Sequence, residues 1–138
     1  HRGSEENQAG WEYHDAEVVD PECGKMDTLP WIRRTLERAD LARNVVLMVT
    51  DSVTAATLIT GPIGMLFIDG GHSFESAFAD YEAWSGKIPR GGILTIHDLF
   101  PDPSEGGQAP IEVYRRAVAS GQYDELPTVK TLGILRRR

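Results

Sequence analysis

The sequence predicts an α/β fold with a parallel sheet, and three observations support this prediction. Segments rich in strand-forming residues alternate three times with segments of helical periodicity. The strand segments are apolar on both faces, which is typical of strands buried in a parallel sheet. Acidic residues or histidines follow each strand directly, at the edge where open parallel sheets bind ligands. The length of 138 residues suits one domain, residues 1–138.

Composition limits the class of protein. Hydrophobic residues make up 41% and charged residues 25% of the chain, which is ordinary for a soluble globular protein. The formal net charge of −7 predicts no general attraction to nucleic acids or anionic membranes. No apolar segment is long enough to span a membrane. Cys23 is the only cysteine, which excludes an internal disulfide bond and fits a cytoplasmic location.

The N-terminal third is predicted to contain a loop, a helix and a strand. Residues 1–25 are polar, so we expect a long loop with a short helical turn at residues 11–17. Residues 27–41 have apolar residues at helical spacing, and Pro30 suits the first turn of that helix. Residues 44–50, NVVLMVT, are strand formers and are predicted to form a buried parallel strand.

The remaining elements continue the alternation and end in a hairpin. The predicted order is helix, strand, helix, strand, Gly/Pro-rich loop, helix and two hairpin strands, over residues 51–59, 65–69, 73–84, 93–98, 99–110, 111–120, 122–129 and 132–137. Pro127 predicts that the first hairpin strand lies at the edge of the sheet. The third helix has an aromatic stripe that we expect to pack against the sheet, formed by Phe74, Phe78, Tyr81 and Trp84.

Six polar residues at the ends of the predicted strands are candidates for a functional site. They are Asp51 and Ser52 after the first strand, Asp69 and His72 after the second, and His97 and Asp98 after the third. Each has an ordinary alternative, such as capping a helix or accepting hydrogen bonds in a turn. Their convergence at one edge of the sheet favours a site over these separate explanations.

The chemistry of these side chains suggests two roles. Asp69, His97 and Asp98 offer two carboxylates and an imidazole to a divalent cation. Oxygen ligands suit Mg²⁺ or Ca²⁺, whereas the imidazole shifts the preference towards Mn²⁺, Fe²⁺ or Zn²⁺. The imidazole of His72 is suited to accept a proton from a substrate hydroxyl.

Two segments, LFIDGGHS at residues 66–73 and DYEAWSGKIPRGGILTIHDLFPD at residues 80–102, resemble the class I S-adenosylmethionine-dependent methyltransferases. The resemblance is to bacterial small domains related to macrocin and mycinamicin sugar O-methyltransferases, and it extends over nearly the whole chain. It implies a Rossmann-like methyltransferase sheet, mostly parallel with a C-terminal antiparallel hairpin. It also implies S-adenosylmethionine as cofactor and methylation of a small-molecule hydroxyl oxygen.

The resemblance implies roles for four of the candidate residues. Asp69 matches the first metal-binding aspartate of those enzymes, and His72 matches their proposed catalytic base. His97 and Asp98 stand where the family has an acidic pair. A divalent cation, Mg²⁺ or Mn²⁺, is therefore expected on Asp69, His97 and Asp98.

Cofactor binding is implied for Asp51 and Ser52, which match the segment that holds the adenine, and for Asp69. Two features depart from the family pattern. His97 replaces an acidic metal ligand, which weakens the preference for Mg²⁺. The first strand and the Gly-rich loop that hold the methionine end of the cofactor are absent from the sequence. We therefore expect the chain to be an N-terminally truncated part of a methyltransferase domain.

Two alternative functions stay open. The absent Gly-rich loop suits a non-catalytic remnant or interaction module of the same fold. His72, His97 and Asp98 also match the ligand count of a non-haem metal oxygenase, although the usual scaffold for that chemistry is all-β. The expected partner is a small-molecule substrate, with neither nucleic acid nor membrane. The sequence does not fix the oligomeric state, and a homo-oligomer is one of the states that it allows.

Overall fold

The computed structural model describes residues 1–11 and 13–138, which form two compact units, His1–Thr50 and Asp51–Arg138. The helical turn predicted at residues 11–17 includes Glu12, which lies outside the described residues.

The first unit has little regular structure. Its elements are 3-10 turns at Glu5–Asn7 and Ala16–Val18, two short antiparallel strands, β1 (Val19–Asp20) and β2 (Lys25–Met26), and helix α1 (Leu29–Arg38). The prediction of a long loop with one short helical turn over residues 1–25 is therefore wrong in part, because it omits the turn at Glu5–Asn7 and the two strands. Met26 is buried, whereas most other described side chains of this unit are exposed or half-buried.

Local hydrogen bonds explain the short hairpin that the sequence pattern did not predict. The Asp20 carboxylate accepts hydrogen bonds from the backbone N–H groups of Glu22 and Cys23, at 2.8 and 3.4 Å, which close the turn between β1 and β2. These hydrogen bonds, with Glu22 contributing most, lower the pKa of the Asp20 carboxyl. Helix α1 is confirmed, and the Asp27 carboxylate accepts a hydrogen bond from the Leu29 N–H at its start.

The strand predicted at residues 44–50 is wrong. The structure has no strand there, and Val46 and Val49 are 86% and 53% exposed. Strand-forming residues make a strand only where a neighbouring strand pairs their backbone groups and an adjacent layer covers their side chains. Residues 44–50 take part in no strand ladder, so their apolar character alone does not fix an extended conformation.

The second unit packs helices against a four-stranded sheet. The helices are α2 (Ser52–Leu58), α3 (Phe74–Trp84) and α4 (Ala109–Ala119), with a 3-10 turn at Ser85–Lys87. The strands are β3 (Met65–Ile68), β4 (Ile93–Ile96), β5 (Tyr123–Val129) and β6 (Leu132–Arg137). At 11 residues each, α3 and α4 are the longest described helices, and neither these nor the others could cross a bilayer.

The sheet combines a parallel pair with an antiparallel hairpin, in the order β3-β4-β6-β5. Strands β3 and β4 are parallel, while β4 with β6 and β6 with β5 are antiparallel. The α/β fold, the closing hairpin and the edge position of the strand that contains Pro127 are thereby confirmed. The parallel part is a single pair because residues 44–50 form no strand.

The core lies where α3 and α4 cover one face of this sheet. Its largest fully buried side chains are Leu94, Ile96, Val113 and Leu135. In the aromatic stripe of α3, Tyr81 is buried and Phe78 packs against the core, as predicted. Phe74 is 55% exposed, so its predicted core position is wrong. It begins the helix and stacks on Phe78, with ring centroids 6.3 Å apart, instead of reaching the sheet.

Candidate functional site

Parallel pairing brings the carboxyl ends of β3 and β4 side by side. Ile68 lies opposite Ile96, so Asp69 and His97 follow at matching positions. The His97 N–H donates a hydrogen bond to the Ile68 carbonyl at 3.0 Å, which extends the pairing beyond β4. The convergence that the sequence predicts at this edge is therefore present in the structure.

Three side chains at this edge form a compact cluster. The Nδ1 atom of His97 lies 2.9 Å from an Asp98 carboxylate oxygen and 3.3 Å from an Asp69 carboxylate oxygen. One donor atom from each of the three residues falls within 4.8 Å of the others. The side chain of Asp69 is 44% exposed, which leaves the cluster open to solvent and to a ligand.

The environment of His97 suits a divalent cation. Its Nδ1 atom is buried and makes no hydrogen bond of acceptable geometry, although two carboxylate oxygens lie within 3.3 Å. Buried polar atoms are normally hydrogen-bonded, so an unsatisfied lone pair or N–H here calls for an explanation. A cation bound by this nitrogen and the two carboxylates would supply one. An imidazole with two carboxylates suits Mn²⁺, Fe²⁺ or Zn²⁺ better than Mg²⁺.

Asp98 also contacts a second imidazole. Its other carboxylate oxygen lies 3.1 Å from Nε2 of His72, and both side chains are 22% exposed. The sequence pattern did not predict this pairing. Asp98 has a φ of 58°, in the left-handed region that non-glycine residues seldom adopt. The Leu99 N–H, hydrogen-bonded to the Thr131 carbonyl at 2.9 Å, helps to fix this conformation, which directs one carboxylate to two histidines.

The five-residue connection from β3 to α3 places His72. It ends at Ser73, whose hydroxyl caps α3 by accepting a hydrogen bond from the Ser76 N–H. A Cβ atom at Gly70 would lie 2.8 Å from the Asp80 carboxylate, so only glycine fits this close approach without a shift of Asp80. The fixed start of α3 therefore sets the distance between β3 and the imidazole of His72.

A second feature of the site is an open cavity of about 370 Å³ beside β3. It is lined by Ser52, Leu66, Phe67, Ile68, Asp69, Gly70, Asp80 and Trp84. The indole N–H of Trp84 donates a hydrogen bond to the Ser52 hydroxyl at 2.8 Å. Asp69 therefore belongs both to the cluster with His97 and Asp98 and to the wall of a cavity large enough for part of a small molecule.

Asp51 and Ser52 are adjacent in the chain but make different contacts. Asp51 caps α2 by accepting a hydrogen bond from the Thr54 N–H at 2.8 Å, and it is not among the residues that line the cavity. Sequence reasoning missed Asp80 and Trp84 as cavity residues. Their spacing of four residues, which puts them on one face of α3, was the available signal.

The fold and this cluster define a class: an α/β domain with a candidate ligand site where parallel strands end. Comparison with known protein families matches residues 4–99 to a family described as "Methyltransferase domain". The match spans more than half of the chain, so the chain belongs to this methyltransferase family. The matched segment includes both strand ends and therefore Asp69, His72, His97 and Asp98. Methyl transfer is thus the class of activity, and the protein is a transferase.

Proposed function

We propose that the protein transfers a methyl group from S-adenosylmethionine to a hydroxyl oxygen of a small molecule, with assistance from a divalent cation. The observation that carries this proposal is the pairing of His72 with Asp98 next to the cluster of Asp69, His97 and Asp98. It supports the proposal because an imidazole suited to accept a proton lies beside three side chains suited to hold a cation, next to an open cavity.

His72 would accept the proton of the substrate hydroxyl as the oxygen forms its bond to the methyl group. The bond between that methyl group and the sulfonium sulfur would break at the same time, with S-adenosylhomocysteine as the leaving group. The Asp98 carboxylate, 3.1 Å from Nε2, orients the imidazole and stabilises its positive charge after proton transfer. Asp69, His97 and Asp98 hold the cation. When bound, the cofactor supplies an electrophilic methyl group and the cation supplies charge that acidifies the hydroxyl. Much of the acceleration comes from holding the hydroxyl in line with the methyl group.

Cofactor binding is assigned to Ser52 and Asp69, which line the cavity, and to Asp51, which precedes Ser52 in the chain. The geometry supports Asp51 less than Ser52 and Asp69, since its carboxylate already caps α2. The net charge of −7 favours a small-molecule acceptor over a nucleic acid, and the single Cys23 fits a cytoplasmic location.

The test combines calorimetric titration of S-adenosylhomocysteine with transfer of a labelled methyl group to a panel of small hydroxyl compounds. His72→Ala is expected to lower methyl transfer by about 100-fold or more, because general bases contribute on that scale. The affinity for S-adenosylhomocysteine should stay within about twofold, since His72 is not among the residues that line the cavity.

His14→Ala is the matched control, because His14 is an exposed histidine of the first unit. It should leave both measurements unchanged. Failure of the folded wild-type chain to bind S-adenosylhomocysteine would count against the proposed cofactor. Full methyl transfer by His72→Ala would remove His72 from its role as base.

A further inference from the structure

Residues 99–108, the last ten of the twelve residues between β4 and α4, form a loop that folds back against His72. A Cβ atom built on Gly107 would lie 3.1 Å from Cβ, 3.5 Å from Cγ and 3.6 Å from Nδ1 of His72. Gly107 therefore leaves room for only a hydrogen atom on the side that faces His72. The side chain of His72 thus lies between Asp98, which is near Nε2, and the position that a side chain of residue 107 would occupy.

Contacts within the loop hold Gly107 in this place. The side-chain amide of Gln108 donates hydrogen bonds to the carbonyls of Phe100 and Gly106, at 3.1 Å each. Gly106 is packed so closely under the Phe100 ring that a Cβ atom there would overlap it. The loop then enters α4 at Ala109, which is fully buried. Gly107 lies two residues before this buried residue, so contacts within the loop fix its position.

The nearest obstacle to a side chain at Gly107 is His72. The φ of Gly107 does not lie in the left-handed region, so alanine can adopt its backbone conformation. The nearest atoms to an added Cβ all belong to His72. The separation of 3.1 Å from the Cβ of His72 is shorter than ordinary carbon–carbon contact, whereas Cγ and Nδ1 lie at ordinary contact distance. To admit a methyl group, the Cβ of His72 has to shift by a few tenths of an ångström, and the imidazole attached to it moves as well.

We propose that Gly107 is a positioning residue for His72: the absence of a side chain lets the loop hold the imidazole against Asp98. This inference rests on the proposed role of His72 as the base. Proton transfer depends steeply on the placement of donor and acceptor, so a displaced imidazole accepts the hydroxyl proton less efficiently. Gly107 contacts neither substrate nor cation in this mechanism and acts through His72.

The experiment compares Gly107→Ala with Gly86→Ala. Gly86 is the matched control, because a Cβ atom there meets nothing within 4 Å and its φ is not left-handed. Gly107→Ala is expected to lower kcat for methyl transfer by about tenfold, with KM for the cofactor unchanged, while Gly86→Ala changes neither. In NMR spectra, the imidazole C–H signals of His72 should shift in Gly107→Ala and stay in place in Gly86→Ala.

A double-mutant cycle separates positioning from a general structural effect. In a His72→Ala background, Gly107→Ala should cause no further loss, since no imidazole is left to displace. An equal loss in both backgrounds, or an unshifted His72 signal with wild-type kcat, overturns the inference. If the wild-type chain transfers no methyl group, the proposed function fails, and the imidazole signals alone then decide whether Gly107 sets the position of His72.

Discussion

Strands β3 and β4 both end in the candidate site, yet they differ sharply in burial. Leu94 and Ile96 of β4 are 0% and 1% exposed, whereas Met65 and Phe67 of β3 are 59% and 51% exposed. Strand β4 has neighbours on both sides, and β3 pairs on one side only within the described residues. The candidate site therefore combines His97 and Asp98, which follow the well-buried strand β4, with residues that follow the more exposed strand β3. Stability and chemistry should therefore respond to different substitutions.

The largest expected effect is on stability, and it tests the difference in burial between β3 and β4. Leu94→Ala should lower the free energy of unfolding by about 3 kcal/mol, because it removes a fully buried side chain and leaves a cavity. Phe67→Ala removes a larger side chain but should cost about 1 kcal/mol or less, because half of that side chain already contacts solvent. Urea unfolding followed by far-UV circular dichroism measures both values.

Leu66→Ala provides a control within β3, since Leu66 lies opposite Leu94 and packs against the core. Its cost should fall between the other two. Equal costs for Leu94→Ala and Phe67→Ala would contradict the comparison and would show that β3 is covered more fully than its exposure indicates.

A substitution at Asp98, just after the end of β4, should affect stability less than one inside the strand. Asp98→Asn should change the free energy of unfolding by less than about 0.5 kcal/mol, because asparagine tolerates the left-handed conformation at φ 58°. It replaces a charged ligand by a neutral one, so the affinity for Mn²⁺ should fall by about tenfold or more. Calorimetric titration with Mn²⁺ and urea unfolding measure the two quantities.

Asp40→Asn is the matched control for this substitution. Asp40 also has a left-handed φ, of 53°, and it lies in the first unit. It should alter neither stability nor Mn²⁺ affinity by a measurable amount. Mn²⁺ affinity that is unchanged in Asp98→Asn would remove Asp98 from the cation ligands while leaving its contact with His72 intact.

The parts of the fold that the sequence predicts correctly are those with their own local signals. The strand before Asp69, the strand before His97 and the closing hairpin combine an apolar run with clear turn residues. Residues 44–50 carry an equally strong strand signal, yet they form no strand. Pairing with another strand decides that outcome, and composition along one segment holds no information about its partner.

The candidate site shows the same division. Convergence of Asp69, His97 and Asp98 follows from parallel pairing, which can be predicted without knowing side-chain directions. The contact of Asp98 with His72 depends on a left-handed φ at a non-glycine residue, which sequence periodicity does not reveal. The contact of Gly107 with His72 depends on how a ten-residue loop returns to the sheet. Tertiary packing sets both, and they are the contacts on which the proposed mechanism depends.

The smallest expected effect lies at β5, the edge of the sheet opposite to β3. Tyr114 of α4 donates a hydrogen bond from its hydroxyl to a carboxylate oxygen of Glu125 at 2.9 Å. Partial burial of the phenol, and next the hydrogen bond to Glu125, raise the pKa of Tyr114 to about 12. The folded state thus holds this proton more tightly than the unfolded chain, whose tyrosines have a pKa of about 10. The resulting stabilisation is complete below pH 10 and is lost as the pH rises towards 12.

The stability advantage of the wild type over Tyr114→Phe should therefore shrink between pH 9 and pH 12, by less than about 1 kcal/mol because solvent near this pair screens the interaction. Paired urea titrations of the two proteins measure it, and other groups that titrate in this range cancel in the difference. Glu125→Gln keeps a hydrogen-bond acceptor but removes the charge that helps to raise the pKa of Tyr114, so the decline should then be smaller and should end at a lower pH. A difference that stays constant from pH 9 to pH 12 would show that the hydrogen bond between Tyr114 and Glu125 makes no pH-dependent contribution to stability.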